Sequence, residues 1–227
     1  MRSFHPVNPS KQEAQPPWIE SRRFDPVKIY GGYIALDFIE VRKDNVWTYV
    51  ACEICEPCQN CGARQGHDNC IVVAVDGACR GNGRPDARAS IGVFFGPTNN
   101  YNLSLILPGD IVTNQMAELA AAIRALEQVR EIEKSGVIGT EVTRSLAKVV
   151  VKTDSEYVVK GMTDWVFKWE RNGWRTSRGG SVTNQAFFQR LLALVSNLNA
   201  LGVEVLFWHV LREHNEDADE LANLAFE

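Results

Sequence analysis

The stretch IVVAVDGACRGNG, residues 71 to 83, decides how this chain is read. Ile71 to Val75 is a short continuous apolar run bounded by turn-forming residues, the pattern of a buried strand. Asp76 stands at its end, in Val75-Asp76-Gly77. Three more carboxylates occupy comparable settings: Glu118 in Met116-Ala117-Glu118-Leu119, Asp154 in Thr153-Asp154-Ser155, and Asp219 in Ala218-Asp219-Glu220-Leu221. Each lies where a strand ends or a helix turns inward, so the four can converge on a divalent metal.

Outward from this stretch the pattern alternates between strand and helix. Ser90 to Phe95 and Tyr101 to Leu107 read as two further strands around the turn Pro97-Thr98-Asn99-Asn100, which makes an antiparallel meander. The period then changes: Met116, Leu119, Ile123 and Leu126 recur at helical spacing behind a cap at Thr113 or Asn114, and the helix should end near Ser135-Gly136. A buried strand over 146 to 151, a short helix over 155 to 161, a helix over 184 to 199, a strand over 203 to 208 and a closing helix over 217 to 226 complete the order. Three strands, helix, strand, helices, strand, helix suits an α/β domain whose mixed sheet is flanked by helices.

At 227 residues the chain holds one domain of ordinary size with an appendage, or two small ones. Its hydrophobic share of 45% and charged share of 23% describe a globular protein. The net charge of −4 excludes a generally basic surface and requires any nucleic-acid contact to be local. No apolar stretch has signal-peptide length or the ~20 residues of a membrane span, which leads us to expect a soluble intracellular protein with no membrane partner. Residues 1 to 27 read as a poorly ordered Pro- and Ser-rich arm. Residues 28 to 70 read as a small Cys-rich module, with a hairpin whose runs Ile34 to Ile39 and Val46 to Val50 flank a turn at Lys43-Asp44-Asn45.

Five of the six cysteines fall between Cys52 and Cys70. The spacing Cys52-x2-Cys55-x2-Cys58-x2-Cys61-x5-His67-x2-Cys70 offers more ligands than one zinc ion needs. Cys58, Cys61, His67 and Cys70 form the favoured zinc set, with Cys52 and Cys55 as alternative ligands. Free or disulfide-bonded thiols and an iron–sulfur cluster are the competing readings.

Four ordered motifs, VDGACRGNG at 75 to 83, TNQMAEL at 113 to 119, TDSEYV at 153 to 158 and NEDADELAN at 215 to 223, make residues 71 to 227 resemble the type 1 ribonucleases H. The resemblance implies that family's fold, a five-stranded mixed sheet of three antiparallel and two parallel strands flanked by helices. It also implies endonucleolytic hydrolysis of the RNA strand of RNA/DNA hybrids with two magnesium ions, manganese being the alternative, leaving 5′ phosphate and 3′ hydroxyl ends. Asp76 and Asp219 would then serve the ion that activates water, and Asp76, Glu118 and Asp154 the ion at the leaving oxygen. The family's histidine before the last helix corresponds to His214, with His209 as the other choice, because the loop between them is shortened.

The resemblance further places Cys79, Asn82, Asn114, Gln115 and Ser155 on the two strands of the hybrid, and Thr113 and Asn184 at a phosphate pocket. The segment from 161 to 184 resembles the family's basic protrusion, in which Trp165, Trp169 and Ser177 would line a channel for the DNA strand. From Lys160 to Arg178 five basic residues face two acidic ones, a local +3 in which aromatic rings interleave with cations. Core packing is the competing reading for the tryptophans. Two rival functions stay open: a protein of this fold that grips hybrids without cutting, and a structure-selective nuclease. No apolar surface helix argues for a dimer, so a monomer is expected.

Overall fold

The computed structural model describes residues 21–32, 34–111, 113–138 and 145–227. The longest strand, β3 (Gly66–Arg80), contains the deciding stretch and runs through the middle of the sheet. On one side β4 (Arg88–Phe94) pairs antiparallel with its C-terminal half, in the register Asp76 opposite Gly92, and β5 (Leu103–Ile106) pairs antiparallel with β4. On the other side β6 (Lys148–Thr153) runs parallel to β3, and β7 (Glu204–His209) parallel to β6. These five strands are the expected mixed sheet.

Two more strands extend it. β1 (Glu40–Val41) and β2 (Tyr49–Ala51) form an antiparallel pair, and β2 joins β3 ahead of the point where β4 begins, giving seven strands in one sheet among the described residues. The hairpin expected over 34 to 50 is therefore present in shifted form: Leu36–Phe38 is a 3-10 turn, and the pairing starts only at Glu40. Asp44 fixes the connection by accepting from the backbone N–H groups of Val46 and Trp47 at 2.9 and 3.0 Å, a use of Asp in turns that an apolar-run reading does not locate. Of the arm expected over 1 to 27, residues 1–20 lie outside the described residues. Residues 22 to 24 lie along β7, and Pro26–Ile29 form a short helix, α1.

Strand alternation divides the core. Ile71, Val73 and Val75 face the main cluster, where α2 (Asn114–Ser135) and α5 (Gln185–Ala200) pack. Val72 joins Phe24, Ile39, Val150 and Trp208 on the opposite face, and Ala74 meets Ala218 of α6 (Glu216–Leu224). Helix α2 starts where its cap predicts, since the Thr113 hydroxyl accepts from the Met116 N–H at 3.3 Å, and it ends at Gly136 with φ 63°.

The helix expected over 155 to 161 does not stop there. α3 (Glu156–Lys160) continues through a π-helical turn, Gly161–Trp165, into α4 (Val166–Asn172). Gly161 is a packing residue rather than a helix stop, because a Cβ at this position would overlap the Phe188 ring. The arm formed by α3, the π turn and α4 carries the tryptophans.

Candidate active site and groove

Asp76 is placed where β3 passes under the first turns of α2. A side chain on Gly77 would collide with the Glu118 backbone nitrogen, so only glycine lets strand and helix approach this closely. The parallel pairing of β3 and β6 brings Asp154, just past the end of β6, to the same edge. Carboxylate oxygens of Asp76, Glu118 and Asp154 lie within 4.8 Å of one another, and among the described residues this is the only group of three or more potential ligands so assembled. Asp219 is held at the margin: Arg212 pairs with its Oδ1, and Asn223 Nδ2 donates to its Oδ2 at 3.0 Å.

The cluster carries charge that burial opposes. Burial is the largest influence on Asp76, followed by the carboxylates of Asp154 and Asp219, and its pKa is pushed up to about 7. Glu118 is raised well above the ordinary value, again by burial first and then by Asp76 and Asp154. The Gly77 N–H and Arg212 oppose both shifts. Asn114 Nδ2 donates to Glu118 Oε1 at 3.3 Å, while Glu118 Oε2 is buried with no hydrogen-bond partner among the described residues. A buried carboxylate oxygen left unpaired among other carboxylates is unfavourable unless a cation completes it. The all-oxygen donor set suits a hard divalent ion such as magnesium. These residues fit a metal.

Around the cluster, Asn215 Nδ2 donates to Val75 O at 3.0 Å and Asp154 Oδ1 at 3.4 Å, tying the start of α6 to the middle of β3 and the end of β6. Asn82 Oδ1 accepts from the Asn114 N–H at 3.0 Å and joins the loop after β3 to α2. Gln115 is exposed beside them and Cys79 is half-buried on β3. Ser155 caps α3, and its hydroxyl accepts from the Val158 N–H. Asn184, at φ 58°, donates to the Tyr157 hydroxyl at 3.3 Å, and the Thr113 hydroxyl is occupied as a helix cap.

The protrusion forms an open groove of about 370 Å³ lined by Asp164, Trp165, Lys168, Trp169, Arg175, Thr176 and Ser177. Its aromatic floor is a chain of rings in which Trp165 and Trp169 lie 5.7 Å apart and Trp169 and Trp174 5.8 Å apart, with Phe188 of the core 5.1 Å from Trp169. The tryptophans thus pack and present at once: Trp165 is 37% exposed, while Trp169 and Trp174 are half-buried against the core.

Two groups singled out in the sequence stand apart from the gathered carboxylates. His214 is exposed and lines a polar pocket with Glu40, Arg42, Lys152 and Asp217, and the loop residue paired with the carboxylates is Arg212. The set Cys58, Cys61, His67 and Cys70 is not brought together. Cys70 is buried in the apolar cluster, where burial pushes its thiol up to about 11, and His67 meets Glu53 at 3.4 Å. Cys58 and Cys61 are exposed near the tip of a loop closed by the Cys58 N–H to Ala63 O bond of 2.8 Å, and the Cys55 N–H donates to Cys52 Sγ at 3.2 Å.

A mixed sheet with three carboxylates gathered at one edge defines an α/β domain with an acidic site built for divalent cations. The family model for RNase H matches residues 68–227, and the chain belongs to the RNase H family. It is similar to Ribonuclease H1 of Rattus norvegicus, 38% identical over 156 residues that cover 67% of this chain and 48% of that one. It is also similar to Ribonuclease H of Nitrosomonas eutropha, 33% identical over 161 residues covering 69% of this chain and 90% of the relative. The chain spans about half the length of the mammalian relatives it matches. Among solved structures, a foamy viral protease-reverse transcriptase in complex with dsDNA shares the fold at 19% identity and a TM-score of 0.51, over 68% of this chain and 92% of that one. Among the described residues, no helix is long and apolar enough to cross a membrane.

Proposed function

We propose that this chain hydrolyses the RNA strand of RNA/DNA hybrids as an endonuclease. The observation that carries the reading is the convergence of Asp76, Glu118 and Asp154 from three distant segments, with Glu118 Oε2 buried and unpartnered. Asp76 and Asp219 would hold one ion, and Asp76, Glu118 and Asp154 a second. When bound, two magnesium ions, or manganese in their place, supply an activated water and neutralise charge on the leaving 3′ oxygen, which yields 5′ phosphate and 3′ hydroxyl ends. The chain's own side chains keep this geometry: Asn114 orients Glu118, Asn215 ties Asp154 to β3, and Arg212 holds Asp219 while offsetting the negative potential at Asp76.

Recognition of a hybrid requires contact with 2′-hydroxyls on one strand and a grip on the other. Asn82, Asn114 and Gln115 present short polar groups beside the carboxylates. The groove of Trp165, Lys168, Trp169, Arg175 and Ser177 offers stacking faces and cations to a phosphate backbone. The test is cleavage of end-labelled RNA/DNA hybrid, double-stranded RNA, double-stranded DNA and single-stranded RNA, each with magnesium and with chelator. Internal cuts confined to the RNA of the hybrid, and lost with chelator, are expected. Hybrid binding without cuts would replace this reading with that of a non-cleaving binder, and cuts in other duplexes with that of a structure-selective nuclease.

A further inference from the structure

The family match begins at residue 68, yet Arg22 to Phe24, far upstream, are built into the tryptophan-bearing arm. The Phe207 N–H donates to Arg22 O at 2.7 Å and the Phe24 N–H to Phe207 O at 2.9 Å, so this segment lies parallel along the free edge of β7. Phe24 is buried against Trp208, with ring centroids 5.1 Å apart, and locks the register. From this footing both arginines reach the arm. The Arg22 guanidinium lies over the Phe167 ring at 4.7 Å, and Arg23 Nη2 donates to Thr163 Oγ1 at 3.1 Å and to Asp164 Oδ2 at 2.9 Å.

Asp164 is the only acid among the seven residues that line the groove, where it stands against Lys168 and Arg175. Left unpaired, its carboxylate would repel a phosphate backbone tracking the groove. Both members of the Arg23–Asp164 pair are partly exposed, so the bridge adds little to stability, and its consequence lies in the field it leaves in the groove. We propose that Arg23 is a positioning residue for substrate, which neutralises Asp164 and thereby makes the segment upstream of the family domain a working part of the nucleic-acid groove. The proposal rests on the groove reading given above.

The test is a double-mutant cycle on the full chain, reading KM and kcat on RNA/DNA hybrid at low and moderate salt. Arg23→Ala should raise KM about three- to fivefold at low salt, with kcat within about twofold of wild type, and the difference should shrink as salt screens the groove. In an Asp164→Asn background the same Arg23→Ala change should no longer raise KM, because no carboxylate is left to neutralise. A purely structural Arg23 would not be bypassed in this way. An unchanged KM in Arg23→Ala, or a raised KM that persists in the Asp164→Asn background, overturns the inference while leaving the function intact. Trp165→Ala and Lys168→Ala serve as controls: if neither raises KM, the groove reading fails and the inference with it.

Discussion

The carboxylate edge and the cysteine loop are both rich in metal-type ligands, and they fold to opposite outcomes. Asp76, Glu118 and Asp154 are far apart in sequence, yet their oxygens gather within 4.8 Å. Cys52 to Cys70 are close in sequence, yet no three ligands there assemble among the described residues, and Cys70 is turned into an apolar cluster. Strand pairing and the close approach of α2 to β3 bring distant segments together, whereas the cysteines are spread over a loop and the start of β3. Ligand spacing in sequence is thus a weaker guide than the strand and helix contacts that decide which segments meet.

The sharpest way to break this contrast is Asp76→Asn, which should lower cleavage of RNA/DNA hybrid by at least about a thousandfold while hybrid binding persists, since the amide keeps the shape and removes the ligand charge. Rates from single-turnover assays and affinities from filter binding would check it. Next in size is Gly77→Ala. Its Cβ has no room against the Glu118 backbone, so urea denaturation should show a loss of at least about 3 kcal/mol, with cleavage falling as Glu118 is displaced.

Third is a pH effect at the carboxylate edge. In metal-free protein the folded Asp76 carboxyl is pushed up to about 7 from an ordinary 3.8, so the folded chain keeps a proton that the unfolded chain releases. Its stabilising contribution is full below about pH 4 and is lost as pH rises to about 7. The loss should reach up to about 4 kcal/mol in chelator, and Asp76→Asn should flatten it. Smallest are the cysteines, and they sharpen the comparison from the other side. Cys70→Ser buries a hydroxyl in apolar surroundings and should cost about 1 to 2 kcal/mol, whereas exposed Cys58→Ser should stay within about 0.5 kcal/mol. Equal losses for the two would mean that the loop cysteines share a common role after all.

What the sequence made legible follows the same physics. The apolar run at Ile71 to Val75, the Thr113 cap and the motif carboxylates Asp76, Glu118 and Asp154 located the sheet, α2 and the cluster, because each is a local pattern with a fixed structural consequence. β1 and β2 were blurred because their pairing depends on the Asp44 turn and on space beside β3. The unbroken arm from α3 to α4 was hidden because Gly161 looks like a helix stop until Phe188 is seen against it. Arg212 and Arg23 could not be read at all, since their partners, Asp219 and Asp164, become neighbours only in the fold.

The most direct test of the contrast is a manganese titration followed by electron paramagnetic resonance, comparing the wild-type chain, Glu118→Gln, and a chain in which Cys58 and Cys61 are both replaced by serine. The carboxylates as the divalent-cation site predict that Glu118→Gln weakens manganese binding at least about tenfold while the cysteine variant binds as wild type does. Undiminished binding in Glu118→Gln, or binding lost with the cysteines, would contradict the account.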